Sequence, residues 1–152
     1  MTEQNILKEP NPILKEISED VKLPLSKEDR AIIDDMYSWL KENNDKAIGL
    51  AAVQIGVLKR MCVIKVPGAN YKLVNPRIIK HSKDFTFIPE GCLSVPEEID
   101  TPVQRYANVI VSAYDAITNK NVIINAYGLL ARCLQHEIDH MNGIEFTERL
   151  VK

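Results

Sequence analysis

The sequence predicts an α+β fold in a single domain, on three observations. Two segments of the 152-residue chain place apolar residues at helical spacing, and several short segments between them have the composition of strands. No internal repeat or low-complexity tract divides the chain. Because strands followed by a helix favour segregated elements, we expect antiparallel sheets with one helix packed in or against them.

The N-terminal part of the chain predicts an irregular arm followed by a helix. Pro10 and Pro12 argue against a long helix between Ile6 and Ser18, since proline lacks the N–H that a helix interior needs. A helix should then begin after Ser26, whose side chain can cap it. The polar run Asn43-Asn44-Asp45 should end this helix, whose apolar stripe comprises Ile33, Met36, Tyr37 and Leu40.

The middle of the chain predicts four strands joined by turns. Apolar and β-branched residues are concentrated in short segments, and the turn-forming sequences Pro67-Gly68 and Asn119-Lys120-Asn121 lie beside them. The predicted strands are Arg60–Val66, Lys72–Asn75, Val109–Asp115 and Val122–Ala126.

A second helix is predicted from Tyr127 to about Asn142, with Gly143 as its C-terminal cap and an apolar stripe of Leu130, Leu134, Ile138 and Met141. It contains His136-Glu137-Ile138-Asp139-His140, an H-E-x-x-H motif. Helical residues four apart have Cβ atoms about 5–6 Å from each other, so both imidazoles can reach one cation. Glu137 falls beside that cation, where it can act on water. The alternative is a pair of solvated surface histidines.

A catalytic site of this kind takes three protein ligands and keeps a fourth position for water. The residues by themselves do not decide which side chain is the third ligand. The only glutamates downstream of the motif are Glu145 and Glu148. Among the cysteines, we expect Cys62 in the core and Cys133 in a pocket wall. Cys92 lies in the irregular segment 90–96, which can aim a thiolate outward, and is the favoured cysteine.

Composition and charge argue against several classes of protein. The formal net charge is -2 without a block of like charges, so we expect neither a DNA partner nor a membrane surface. No apolar run approaches the ~18 residues that span a bilayer, and the N-terminus does not have a signal-peptide pattern. Three cysteines are too few for a secreted disulfide framework, so we expect a reducing, cytoplasmic environment.

Three segments together resemble the signature motifs of peptide deformylases, in the same order and at similar spacing: Ile48–Gln54, Glu90–Pro96 and Gln135–His140. The resemblance covers nearly the entire chain. It implies one catalytic domain over residues 1–152, with antiparallel or mixed sheets packed around a central H-E-x-x-H helix. It also implies a metal-dependent hydrolase that removes the N-formyl group from the N-terminal formylmethionine of nascent polypeptides and releases formate.

The resemblance further implies a role for each residue that matches the family's motifs. One divalent transition metal, Fe(II) with zinc, nickel or cobalt as substitutes, would be held by Cys92, His136 and His140. Glu137 would be the general acid and base, and Gln54 with the backbone N–H of Leu93 would stabilise the oxyanion. The substrate would contact Ile48, Gly49, Ile88, Glu90, Gly91, Leu129, Arg132 and Cys133.

Other implications concern supporting contacts and partners. Arg132 occupies a position that is more often apolar in relatives, so we expect it to extend toward solvent while its stem covers the methionine pocket. Arg105 and Asp139 would form a supporting ion pair. Bacterial relatives often continue into a C-terminal helix that contacts the ribosome, which is not expected here. The expected partners are therefore N-formylmethionyl peptides, with at most a transient ribosome contact, in the cytoplasm or in a host cytoplasm or organelle.

The residues alone leave three competing functions. An activated-cysteine hydrolase would use Cys92 or Cys133 as nucleophile and His136 as base, but leaves the second histidine unexplained. A general metallopeptidase with the same motif would not need Cys92. A protein with a structural metal would need a fourth protein ligand and no Glu137.

Overall fold

The structure, a computed structural model, describes residues 1–152 and contains two α-helices and seven strands. The helices are α1 (Lys27–Glu42) and α2 (Gly128–Met141). The strands are β1 (Gly49–Ala51), β2 (Met61–Val66), β3 (Ala69–His81), β4 (Phe85–Ile88), β5 (Val103–Tyr106), β6 (Asn108–Asp115) and β7 (Lys120–Tyr127). Five of them form an antiparallel sheet in the order β1-β2-β3-β6-β7, and β4 pairs with β5. The predicted α+β class is confirmed.

The arm and α1 agree with the prediction. Residues 1–26 contain only two short 3-10 turns, at Glu3–Asn5 and Pro12–Lys15. Helix α1 begins after Ser26, whose Oγ accepts the Asp29 N–H at 3.0 Å. This contact satisfies one of the free N–H groups at the start of the helix.

Strand β3 is longer than the predicted segment Lys72–Asn75. The strand passes Pro76 through a register shift between Val74 and Arg77. A bulge accommodates a residue without an N–H, and Asn75 has a φ of 53° within it. The Asn75 side chain bonds the backbone of Val21 on the arm, at 2.8 and 2.9 Å, which fills the irregularity.

Three strands were not predicted. β1 has only three residues, and the residues of β4 are mostly exposed instead of alternating between core and solvent. Short strands of this kind carry no periodic signal. The predicted turn at 119–121 is confined to Asn119, since β7 already begins at Lys120.

The large sheet lies between the two helices. Along β2, Cys62 and Ile64 belong to the core cluster that contains α2, whereas Met61 and Val63 belong to the cluster that contains α1. This alternation follows from the two-residue period of a strand, and it explains why the whole segment is apolar. Neither helix combines the length and apolar character that crossing a membrane would require.

Candidate metal centre

Helix α2 brings the two histidines of the motif together on one face. The ring centroids of His136 and His140 lie 4.9 Å apart. Cys92 reaches them from the irregular segment between β4 and β5, where its Sγ lies 3.5 Å from Nε2 of His140. With a carboxylate oxygen of Glu145, the candidate ligand atoms all lie within 4.8 Å of one another. One sulfur, two nitrogens and one oxygen therefore face a common point.

The other candidates for a third ligand lie elsewhere. Cys62 is fully buried in the core and Cys133 faces the Ile48 carbonyl at 3.8 Å, as expected for a core residue and a pocket wall. Burial raises the pKa of both thiols well above the usual value, and neither sulfur belongs to the cluster of candidate ligand atoms. Glu148 lies outside the cluster, where it pairs with Lys15 at 3.3 Å. Cys92 and Glu145 remain as candidates for the third ligand.

The His136 ring is oriented by a buried network of charges. Its Nδ1 lies 2.8 Å from Oε1 of Glu90, which leaves Nε2 for a cation. Glu90 also accepts two hydrogen bonds from Arg105, at 2.9 and 3.0 Å. Burial alone would raise the pKa of Glu90, but the hydrogen bonds from His136 and Arg105 lower it to about 2. Arg105 also bonds Asp139 at 2.6 Å, so the ion pair implied by the resemblance is present.

Arg132 corrects one expectation. Instead of extending toward solvent, its side chain is buried and its guanidinium points into the gap between α2 and the small sheet. It donates to Thr86 Oγ1 at 2.6 Å and to the carbonyls of Ile88 and Val103 at 2.8 and 2.7 Å, and it lies 3.0 Å from Glu90. The guanidinium does not have to reach solvent, because β4, β5 and Glu90 supply acceptors and an opposite charge inside the protein.

Glu137 is a buried carboxyl group held against the backbone of β1. Its side chain is almost fully buried, and Oε1 has no hydrogen-bond partner. A Cβ on Gly49 would lie 2.5 Å from its Oε2, so a larger residue there would displace the carboxyl group or the strand. Burial, with smaller contributions from Glu145 and Glu90, raises the pKa of Glu137 to about 7. A group that titrates near neutrality can both take and return a proton.

Two hydrogen-bond donors lie beside Cys92. Gln54 is 2 % exposed, and its Nε2 donates to Ser94 Oγ at 3.1 Å and lies 3.6 Å from Cys92 Sγ. Its Oε1 accepts the Ala51 N–H at 3.0 Å, which fixes the orientation of the amide. The Leu93 N–H donates to no backbone carbonyl. Both groups can therefore bind an oxyanion formed next to the cluster.

A cleft of 870 Å³ opens onto this cluster. It is lined by all eight residues expected to contact substrate and by Gln54, Cys92, Leu93, His136 and Glu137, whereas His140 lies beneath the surface. Its rim includes the acidic segment 97–100, which sequence reasoning did not single out because exposed charges carry no local signal of a cleft.

Comparison with known proteins adds an independent finding. The family model of polypeptide deformylase matches residues 3–152. The peptide deformylase of Macrococcus caseolyticus is 38% identical over 170 residues, covering 100% of this chain and 92% of that protein. Peptide deformylase 2 of Bacillus cereus is 37% identical, covering 100% of this chain and 91% of that protein.

Solved structures agree with these relatives. A crystal structure of peptide deformylase from Ehrlichia chaffeensis has a TM-score of 0.85 at 37% identity, covering 97% of this chain and 87% of that chain. The peptide deformylase of the Vibrio parahaemolyticus bacteriophage VP16T, in complex with actinonin, has a TM-score of 0.80 at 37% identity, covering 92% of this chain and 98% of that chain.

Proposed function

The chain belongs to the polypeptide deformylase family, and from this we propose that Glu137, with a cation held by Cys92, His136 and His140, carries its reaction. The protein is a hydrolase that removes the N-formyl group of formylmethionyl peptides and releases formate. One observation carries the assignment of residues: a sulfur and two imidazoles converge beside a buried carboxyl group at the base of a cleft.

The donor set suits a divalent transition metal. One sulfur and two imidazole nitrogens match the softer first-row ions, and Glu90 already engages the second nitrogen of the His136 ring. Such a cation, when bound, would supply Lewis-acid activation of water and of the formyl carbonyl. We propose Fe(II) as the native ion, with zinc, nickel or cobalt able to use the same three ligands.

Glu137 supplies the proton transfers in this proposal. As a carboxylate it takes a proton from the attacking water, and as an acid it returns that proton to the leaving amine. The products are formate and a free amino terminus. Its pKa of about 7 supports both steps, since neither protonation state is rare near neutral pH.

Gln54 and the Leu93 N–H stabilise the oxyanion that forms on the formyl carbon. A donor fixed before the reaction is worth about 10²–10³ in rate, because it does not have to reorient as charge develops. The bonds of Gln54 to Ala51 and Ser94 support such fixation.

The cleft receives the peptide. We propose that the methionine side chain packs in an apolar pocket and that the peptide continues as an extended strand along backbone groups. The substrate contacts are Ile48, Gly49, Ile88, Glu90, Gly91, Leu129, Arg132 and Cys133, all of which line the cleft. For Arg132 the contact is its aliphatic stem, since the guanidinium is occupied by Thr86, Ile88 and Val103.

We further propose that residues 1–152 act as one catalytic domain organised around α2, which packs against strands of both sheets. A cytoplasmic location, in a cell, its organelle or a phage host, would keep Cys92 reduced. Any ribosome contact would be transient, and neither DNA nor a membrane is a partner.

The function is tested with protein prepared anaerobically and loaded with Fe(II). We expect formate from formyl-Met-Ala-Ser and no cleavage of Met-Ala-Ser. Cleavage of the unformylated peptide would instead indicate a general metallopeptidase. Glu137→Gln should keep its metal and lose turnover, whereas full activity in that variant would favour a structural metal.

Cys92→Ser separates the proposal from an activated-cysteine hydrolase. We expect this variant to lose bound metal, measured by elemental analysis after gel filtration. A fully metallated variant that has lost only turnover would instead identify Cys92 as a nucleophile. Glu148→Gln is the matched control, because Glu148 is half-exposed and outside the ligand cluster.

A further inference from the structure

The Nδ1 atoms of the two histidines in the motif have different surroundings. His136 has Glu90 at 2.8 Å from Nδ1. His140 directs Nε2 toward Cys92 Sγ, at 3.5 Å, and has Oε2 of Glu145 at 3.9 Å from its Nδ1. Each histidine thus has one carboxylate near its Nδ1, at hydrogen-bond distance for His136 and 3.9 Å away for His140.

Glu145 is a buried carboxylate without a conventional partner for one oxygen. The residue is 2 % exposed and lies beside the apolar cluster of Val95, Val103 and Phe146. Its Oε1 accepts the Phe146 N–H at 2.9 Å. Its Oε2 has only Cys92 Sγ, at 3.7 Å, and His140 Nδ1 within reach.

No lysine or arginine pairs with Glu145, although a buried carboxylate requires compensation by an opposite charge. The only positive charge available at this place is one that the ligand cluster carries. A divalent cation balanced by the Cys92 thiolate and the Glu145 carboxylate would leave the cluster neutral.

We propose that Glu145 is the positioning carboxylate of His140, accepting its Nδ1–H and thereby strengthening the hold of the site on a divalent transition metal. The inference rests on the metal site of the proposed function. A carboxylate at Nδ1 fixes the tautomer that leaves the Nε2 lone pair free and makes the ring a stronger donor. The present separation of 3.9 Å is longer than a hydrogen bond, so Oε2 has to move about 1 Å toward the ring when the cation binds.

Direct ligation by Glu145 is the competing role. The 3.7 Å separation from Cys92 Sγ also suits two ligands of one cation. A fourth protein ligand, however, would occupy the position that a catalytic site keeps for water. The open position therefore favours the positioning role, and the experiment has to separate the two.

Affinity is the first readout. Metal-free wild-type protein, Glu145→Gln and Glu148→Gln are titrated with Zn(II) against a chelating indicator. Loss of a carboxylate behind a ligating histidine weakens metal binding about 10–100-fold, which we expect for Glu145→Gln. Glutamine at position 145 retains an oxygen for the Phe146 N–H. Glu148→Gln should bind like the wild type, since its amide oxygen can still accept the Glu145 N–H. An affinity of Glu145→Gln within twofold of the wild type would overturn the proposal.

Nitrogen-15 NMR of the Zn(II)-loaded protein is the second readout. The wild type should show a strongly hydrogen-bonded Nδ1–H on each histidine of the motif. Glu145→Gln should shift the His140 signal alone, with His136 and its partner Glu90 as an internal control. A wild-type His140 without a hydrogen-bonded Nδ1–H would reject the proposal, even if the variant did not fold.

Co(II) spectroscopy identifies direct ligation. We expect the same visible bands and the same coordination number in the wild type and in Glu145→Gln. Loss of an oxygen ligand in the variant would make Glu145 a ligand and overturn the positioning role. These binding measurements do not depend on turnover, so an inactive wild type would reject the proposed function without deciding this inference.

Discussion

At the scale of single residues, the position of Glu137 depends directly on Gly49. A Cβ at position 49 would lie 2.5 Å from Glu137 Oε2 and 2.9 Å from Cys133 Sγ. The close approach of β1 to α2, and not a positive φ, therefore requires glycine here. An added methyl group must displace either the carboxyl or the strand.

We expect Gly49→Ala to lower kcat/KM about 10²-fold, since a displacement of about 1 Å in a catalytic group has an effect of that size. The loss should fall mainly on kcat, because the cleft remains open. Formate release measures it, with elemental analysis to establish that the metal is retained. Wild-type kcat in a folded, metallated variant would contradict the role of this contact.

The sequence could predict residues whose relation is local, but not those whose role depends on distant partners. His136 and His140 share a helix face whatever surrounds the helix. Arg132 points inward only because Thr86 and Val103 lie opposite it, and no local pattern reports that arrangement. Glu145 enters the cluster for a similar reason, since the turn after α2 folds back toward Cys92.

At the scale of elements, the end of α2 is fitted to the arm. Gly143 has a φ of 74°, and a Cβ there would collide with the carbonyl oxygen of Lys15. Gly56 also has a positive φ, of 82°, but its nearest neighbour is 4.0 Å away. The two glycines share the conformational requirement and differ in the space around them.

Gly143→Ala should therefore destabilise the protein more than Gly56→Ala. The left-handed conformation costs about 1–2 kcal/mol in either variant. Overpacking against the arm should lower the free energy of unfolding of Gly143→Ala by about 1–3 kcal/mol more. Urea unfolding monitored by circular dichroism measures both, and equal losses would show that the arm yields freely.

Arg132 ties α2 to the small sheet. Replacing it by methionine leaves two carbonyls and a hydroxyl without their donor, and each such group costs about 1–3 kcal/mol when it stays buried. Only the contact to Val103 is fully buried, whereas those to Thr86 and Ile88 are partly buried. Because Glu90 also keeps Arg105 and His136, we expect a total loss of about 2–4 kcal/mol in the free energy of unfolding.

Arg132→Lys is the matched comparison for this prediction. It retains the charge but not the forked donors, so its stability should lie between the wild type and Arg132→Met. Urea unfolding again supplies the measurement. A methionine variant as stable as the wild type would show that these hydrogen bonds contribute nothing net.

The elements themselves were predictable where an apolar pattern runs without interruption. The apolar pattern is sustained along both helices and along β2, β6 and β7. Their observed ends therefore lie close to the predicted ones. β4 is four residues long and mostly exposed, so its pairing with β5 arises from chain geometry and not from a pattern in the sequence. The bulge that carries β3 past Pro76 likewise depends on the arm beside it.

At the scale of the whole molecule, the core and the ligand cluster are distinct. The two large core clusters on the faces of the sheet contain neither Cys92, His136 nor His140. The α+β class of the fold could be predicted from apolar periodicity alone. Its layering could not, since that depends on which strands pair.

Removal of metal should leave the protein folded but less stable. A cation at 100 times its Kd adds about 2.7 kcal/mol to the free energy of unfolding, provided that the unfolded chain does not bind it. We expect this increment when Zn(II) replaces a chelator in urea unfolding, and a much smaller one in Cys92→Ser. Unfolding of the wild type by chelator alone would contradict the separation of core and cluster.

The arm also contacts the segment that carries the sulfur. Lys8 Nζ donates to the Leu93 carbonyl at 2.5 Å. The Glu9 N–H donates to the Ser94 carbonyl at 2.8 Å, and the Leu7 N–H donates to the Gln54 carbonyl at 2.7 Å. Three consecutive residues near the N-terminus therefore brace Gln54 and the two residues that follow Cys92. Amide hydrogen exchange at positions 7 and 9 should consequently slow when a cation binds, so the beginning of the polypeptide serves as a distant reporter of occupancy.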